Sequence, residues 1–321
     1  MCLLLVLIGS FFFIRHKKGD RKKDTWQTLR GYTMGTTFRI VCYPKLFQTS
    51  QIDSLLKELN QIFSTYDPNS EISKLNKTDS FPLRNPHLST VLHACQDIYL
   101  QSQGAFDPSL GGLIEAWGFG SSKPKTTPSN RVIDSLKQYV GWDKIQILPQ
   151  LLIKSPETYL NLNAIAKGYA VDVIAQFLED KNTIHYMVEI GGEIRSKGRN
   201  PRKKAWKIGI SNPLYPDSDE PLQFLFLKKG GLATSGNYRN FYLHNNKIYA
   251  HTLSAQNGKP ISSSLLSVSI QAPSAMYADA IATACMVMGL KKGKAWVQQQ
   301  NVQALFVFLD ENEELRTWQS P

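Results

Sequence analysis

The chain has little of what the commoner catalytic chemistries are built from. Its four cysteines, Cys2, Cys42, Cys95 and Cys285, stand far apart, with no C-x-x-C pair and no zinc-ligand spacing, so neither a redox dithiol nor a structural zinc is signalled. The six histidines are scattered and no H-E-x-x-H occurs. A P-loop, a G-x-G-x-x-G after a strand and a nucleophile elbow are all absent. No internal repeat or low-complexity tract divides the chain.

Acid is scarce too, and the net charge of +11 would suggest nucleic acid if it were spread along a groove. It is not. Arg15, Lys17, Lys18, Arg21, Lys22 and Lys23 face only Asp20 and Asp24, and Lys197, Arg199, Arg202, Lys203, Lys204 and Lys207 have no acid among them. These two runs hold nearly all of the excess, leaving a body close to neutral without a basic stripe interleaved with aromatics. No nucleic-acid partner is expected. The second run reads as a solvated hairpin loop, or as a patch for an acidic partner or phospholipid.

What is present is an ordinary globular composition, 42% hydrophobic and 20% charged over 321 residues, enough for one sizeable core. Leu3–Ile14 is an uncharged apolar run of signal or anchor type, shorter than a comfortable membrane span. We therefore expect an anchor segment at 1–14, a basic polar tether at 15–30 and one folded domain at 31–321. The cations follow the apolar run, an order that would keep the body in the cytoplasm by the positive-inside rule unless a basic segment preceded Met1.

Alternation at 37–43 predicts a strand, and Ile52, Leu55, Leu56, Leu59, Ile62 and Phe63 recur at helical spacing before a turn at 64–68. Asn85-Pro86 makes an N-cap and first-turn pair for a second helix ending at Gly104. Further helices are expected at about 129–139 and 161–178. The second of these carries Lys167 near its N-terminal end, where free N–H groups and the helix dipole favour a phosphate. Strands are expected at 144–148, 151–154, 184–190, 205–211, 223–227, 241–244, 248–251, 265–271 and 304–309. Helices that do not alternate regularly with strands indicate an α+β fold with a largely antiparallel sheet.

One stretch contains a paradox. Residues 275–289 are small or apolar except for Asp279 and Thr283, which sit four apart on one helix face, and Gly289 ends the run. A buried carboxylate needs a cation, an N–H or a metal, so Asp279 either ties down the preceding loop or serves a site.

Seven motifs, taken in order, bear on that choice. They are Tyr-Thr-Met-Gly-Thr at 32–36, Ser-Thr-Tyr-Asp-Pro-Asn-Ser-Glu-Ile-Ser-Lys-Leu-Asn at 64–76 and Gly-Ala-Phe-Asp-Pro-Ser at 104–109. Ala-Ile-Ala-Lys-Gly-Tyr-Ala-Val-Asp follows at 164–172, then Gly-Gly-Glu at 191–193, Ala-Thr-Ser-Gly-Asn-Tyr at 233–238 and Ala-Asp-Ala-Ile-Ala-Thr-Ala at 278–284. With them the chain resembles the FAD:protein FMN transferases, the ApbE-like flavin transferases. The resemblance implies a flavin site at Met34, Ser64, Thr65, Tyr66, Ala105, Phe106, Asp107, Lys167, Glu193 and Leu253. It implies Mg²⁺ at Asp279, Thr283 and the main-chain carbonyl of Ala164, with Asp279 and His251 as candidate catalytic residues. FAD would be the substrate and FMN would pass to a Ser or Thr hydroxyl of a protein, with release of AMP. A Mg²⁺-dependent FAD pyrophosphatase and a membrane-held flavin binder are the alternatives.

The chain departs from the family where His-x-Ile-Asp-Pro-x-Thr-Gly-x-Pro is usual, having His251-Thr252-Leu253-Ser254-Ala255-Gln256-Asn257-Gly258-Lys259-Pro260. Either Ser254 keeps a turn that aspartate also favours, or a charge near the reacting phosphate is lost. The resemblance further implies an enzyme on the periplasmic face of a bacterial cytoplasmic membrane. There it would modify flavin-bearing subunits of membrane electron-transfer complexes.

Overall fold

The computed structural model describes residues 25–120, 127–238, 241–244 and 247–321, with side chains of 241–248 excepted. The apolar run at 1–14 and the tether as far as residue 24 lie outside the described residues. Among those described, no helix is long and apolar enough to cross a membrane.

The main sheet has eight antiparallel strands. In spatial order they are β1 (Gln27–Thr33), β2 (Thr36–Tyr43), β6 (His185–Ile190), β7 (Glu193–Lys197), β10 (Lys229–Gly236), β13 (Leu265–Ala272), β14 (Gln303–Leu309) and β15 (Leu315–Gln319). A smaller sheet joins β3 (Ser80–Pro82), β5 (Leu151–Lys154) and β4 (Ile145–Leu148), and two hairpins pair β8 (Trp206–Ile210) with β9 (Gln223–Leu227) and β11 (Phe241–His244) with β12 (Lys247–Ala250). The helices are α1 (Thr49–Phe63), α2 (Glu71–Leu75), α3 (Pro86–Gln101), α4 (Gly111–Ala116), α5 (Asn130–Lys137), α6 (Asn163–Asp180) and α7 (Ala275–Val297). This is the α+β architecture expected from the sequence.

The sheet's period-2 alternation decides what covers each face. In β2, Ile40 joins the core under α1, α3 and α6, while Val41 joins Ile194, Trp206, Ile208, Leu225 and Leu227 beneath the β8–β9 hairpin. In β14, Phe306 packs with α7 residues Ile281, Cys285 and Met286, whereas Leu305 and Val307 turn toward the hairpin. Helices thus cover one face and the hairpin the other.

The folded body starts earlier than the sequence suggested. Gln27–Arg30, read as the end of the tether, form most of β1 and pair with 39–42 of β2. Met34 and Gly35 make the turn between these strands with φ of 49° and 72°, both left-handed, as a tight hairpin requires.

The stretch at 104–120, which follows α3, contains α4, and β10 escaped the pattern because of its glycines. At Gly231 a Cβ would lie 2.2 Å from the Ala275 nitrogen, so the start of α7 rests on a strand position that admits no side chain. The break at Gly289 is as expected: its φ of 75° and ψ of 178° interrupt α7, and helix resumes to Val297.

Candidate active site

Two helices build the site by unusually close approach. A Cβ on Gly168 of α6 would fall 2.4 Å from the Ala275 carbonyl oxygen of α7, so the first turn of α7 lies directly on that glycine. One turn further along α6, Asp172 accepts the N–H groups of Ala275 (3.0 Å) and Met276 (2.9 Å), two of the unpaired donors that open any helix. Arg195 of β7 holds the same carboxylate at 2.8 Å. Strand, α6 and α7 are thereby fixed in register, which sets where Asp279 and Thr283 point.

Asp279 is 4% exposed, and its Oδ2 accepts the Gly168 N–H at 3.3 Å. In an α-helix that N–H faces the carbonyl four residues back, here Ala164. The Asp279 carboxylate and the Ala164 carbonyl therefore flank one N–H. Lys167 Nζ bonds Glu193 Oε1 at 2.9 Å and stands 3.9 Å from Asp279 Oδ2. Burial alone would push the Lys167 ammonium down, but Asp279 and Glu193 together hold it above its ordinary range. Burial raises both acids, Glu193 to about 7, against the pull of Lys167. Lys167→Met is expected to leave two buried carboxylates facing each other and to cost roughly 3 kcal/mol. Adding Glu193→Gln should restore much of that loss, a double-mutant cycle read by urea unfolding; additive effects would show that the contact carries no stability.

These groups line one cavity of about 390 Å³ together with Tyr66, Ala105, Phe106, Asp107, His251, Leu253 and Thr283. The sequence-derived set thus converges from loops, α6, β7 and α7, apart from three members. Met34, in the β1–β2 turn, packs its side chain on the core. Ser64 shapes the turn: its Oγ accepts the N–H groups of Tyr66 and Asp67, while its carbonyl accepts the Ser70 hydroxyl at 2.6 Å. Thr65 is buried with its hydroxyl unpartnered. Tyr66, presented by that turn, is 64% exposed at the cavity and offers a ring face. Asp107 is buried with Oδ1 taken by the Ser109 N–H and hydroxyl, and burial raises its carboxyl against those two bonds.

One expectation changes. Asn161 Oδ1 takes the Asn163 N–H, and the Leu162 carbonyl takes those of Ile165 and Ala166. The opening of α6 is largely satisfied from within, so a phosphate here would depend on Lys167 more than on free helix donors. Ser235 was missed: it lies in the quoted Ala-Thr-Ser-Gly-Asn-Tyr motif, lines the cavity and bonds Thr283 Oγ1 at 3.0 Å. The Ser254 turn is closed without aspartate, by Ser254 N–H to the Lys259 carbonyl and Gly258 N–H to the Ser254 carbonyl. Trp117 Nε1 bonds the Gly258 carbonyl from outside.

The residues suit a magnesium ion. Among the described residues there is no cluster of three or more His, Cys, Asp or Glu side chains, so no all-protein cage exists. Asp279, Thr283 and the Ala164 carbonyl are hard oxygens around one cavity, and Glu193 Oε2 is buried there without a partner. One or two carboxylates, with substrate phosphates and waters completing the shell, is the usual Mg²⁺ arrangement.

The ApbE family model matches residues 34–306, spanning every element that contributes to this cavity. The chain belongs to the ApbE family. An FAD:protein FMN transferase of Vibrio cholerae is 35% identical over 315 residues, covering 94% of this chain and 92% of its own. One from Haemophilus influenzae is 33% identical, with 89% and 87% covered. The solved structure of the flavin transferase ApbE from Vibrio cholerae superposes with a TM-score of 0.84 at 32% identity, covering 92% of this chain and 97% of that one. An ApbE protein from Thermotoga maritima gives 0.81 at 28%, covering 91% and 96%. The ApbE fold thus extends over nearly the whole described chain.

Proposed function

We propose that this protein is an FAD:protein FMN transferase that moves FMN from FAD to a Ser or Thr hydroxyl of an acceptor protein and releases AMP. The observation that carries the reading is the convergence of Lys167, Glu193, Asp279 and Thr283 on one cavity that also holds an aromatic face at Tyr66 and the Ala105-Phe106-Asp107 loop. Such a cavity has an apolar, stackable part for a flavin and a cationic, oxygen-rich part for a pyrophosphate.

In this reading the acceptor oxygen bonds to the FMN phosphorus as the bond from that phosphorus to the bridging oxygen breaks, and AMP leaves with that oxygen. His251, on the cavity wall, takes the hydroxyl proton. Lys167, held protonated by its two acidic neighbours, offsets charge on the phosphates. Asp279, Thr283 and the Ala164 carbonyl would hold Mg²⁺, which supplies Lewis-acid charge neutralisation at the pyrophosphate. Asp172 and Gly168 keep those ligands in place through α7. Flavin-bearing subunits of membrane electron-transfer complexes are the proposed acceptors, at the periplasmic face of the bacterial cytoplasmic membrane.

The test is incubation of the purified chain with FAD, Mg²⁺ and a Thr-containing acceptor peptide, followed by denaturing separation. Flavin fluorescence on the peptide with equimolar AMP is expected. Free FMN and AMP with no labelled peptide would make the protein a pyrophosphatase, and FAD binding without AMP would make it a binder.

A further inference from the structure

We propose that the end of the main sheet farthest from the cavity is a docking face for an anionic phospholipid surface, distinct from the apolar segment that precedes it. Four strand ends meet there, and the inference goes beyond the transferase reading without resting on it.

Trp26, where the chain enters the fold, stacks on His185 (ring centroids 6.0 Å), lies 5.4 Å from Tyr43 and meets Trp206 edge-on at 6.0 Å. The start of β1, the end of β2, the start of β6 and the start of β8 are therefore one corner of the molecule. From this corner projects the 198–205 loop. Arg199, Arg202, Lys203 and Lys204 are all exposed, and none has an ion-pair partner among the described residues. The loop is held in shape. Asn200 Oδ1 accepts the N–H groups of Arg202 and Lys204, its amide donates to the Ala205 carbonyl, and the Arg199 N–H bonds His185 Nδ1. Four like charges kept in a fixed loop with no acid to neutralise them repel one another, so an external anionic surface is what they fit.

The rest of the corner suits a lipid surface better than a protein groove. Leu46 and Ile184 are 56% and 57% exposed, and Ile184 donates its N–H to the Tyr43 carbonyl, so these apolar side chains flank the same edge. The lysines beside them, Lys45 and Lys181, lie over the Phe47 and Phe177 rings. Of the nearby acids, Glu179 is already paired with Lys197 and Asp180 takes a bond from Gln176. Cations around a shallow aromatic and aliphatic rim match the headgroup layer of an anionic bilayer. The chain before Thr25 supplies a second argument: its sequence carries the apolar run at 3–14 and six more cations, and it joins the fold at this corner.

The geometry has a consequence for access. The cavity residues Gly191 and Glu193 sit at the opposite end of the β6–β7 hairpin from His185 and Lys197. Six residues of strand span about 20 Å, so docking by this corner holds the cavity roughly that far from the lipid.

The test uses the full chain on vesicles of phosphatidylcholine alone or with one-third phosphatidylglycerol. Trypsin cleavage at Arg199–Lys204 is followed by mass spectrometry. Cleavage should slow about tenfold on the anionic vesicles and recover in 0.5 M salt, where screening removes the attraction. R199Q/R202Q/K203Q/K204Q should lose on the order of 1,000-fold of its preference for anionic vesicles, while its turnover of FAD in solution is unchanged. Equal cleavage on both vesicle types, or an unaltered preference in the variant, would overturn the proposal. Protection only in membranes that retain their proteins would overturn it in favour of an acidic protein partner.

Discussion

Asp279→Asn is expected to lower flavin transfer by about 10²–10³-fold, the usual cost of removing one group that stabilises charge in a preorganised site. The fold should survive. Asparagine keeps the volume and an oxygen for the Gly168 N–H. Because burial raises the carboxyl of Asp279, an uncharged isostere relieves a desolvation cost. A second reading separates a metal ligand from a structural acid: Mg²⁺ should raise the melting temperature of the wild-type protein by mass action and leave the variant unmoved. Equal Mg²⁺ stabilisation of both proteins would remove Asp279 from the metal site.

Gly168→Ala should combine a stability loss with a loss of activity. The new Cβ would press to within 2.4–2.8 Å of the Ala275 carbonyl and the Met276 Cα, backbone atoms that cannot swing aside. Overpacking of this kind costs about 1–3 kcal/mol, and at roughly 2–4 °C per kcal/mol the melting temperature should fall by several degrees. The helix that carries Asp279 and Thr283 must shift relative to α6. A displacement of about 1 Å at a reacting group costs on the order of 10²-fold in rate. Gly112→Ala is the control, since its nearest neighbour outside the local helix backbone would be Leu136 at 3.5 Å, an ordinary contact. Calorimetry together with an AMP-release assay checks both variants, and a Gly168→Ala protein with wild-type turnover would show that the helix contact does not position the site.

The elements that the sequence disclosed are those whose signal is local. Apolar spacing in α1, the Asn85-Pro86 cap of α3, the alternation of β2 and the glycine stop at 289 each depend on a few neighbouring residues, and each appears where expected. What stayed hidden depends on contacts far along the chain. Gln27–Arg30 looked like tether because an edge strand with alternate residues exposed needs no apolar run, and β10 showed no strand pattern because α7 rests on its glycines.

The candidate site divides in the same way. Sequence alone determined that a helix of small residues carries Asp279 and Thr283 on one face, because 3.6 residues per turn fixes that geometry before any packing occurs. The motif order determined the family. Only the tertiary structure decided that Lys167 is shared between Glu193 and Asp279, that Asp172 holds the first turn of α7, and that Ser235 meets Thr283. It also decided that the opening of α6 is largely satisfied and that the basic 198–205 loop shares a corner with Trp26. Charges and hydrogen bonds act over a few ångströms in space, and these groups, many of them more than twenty residues apart in sequence, become neighbours only when the sheet and its two central helices have packed.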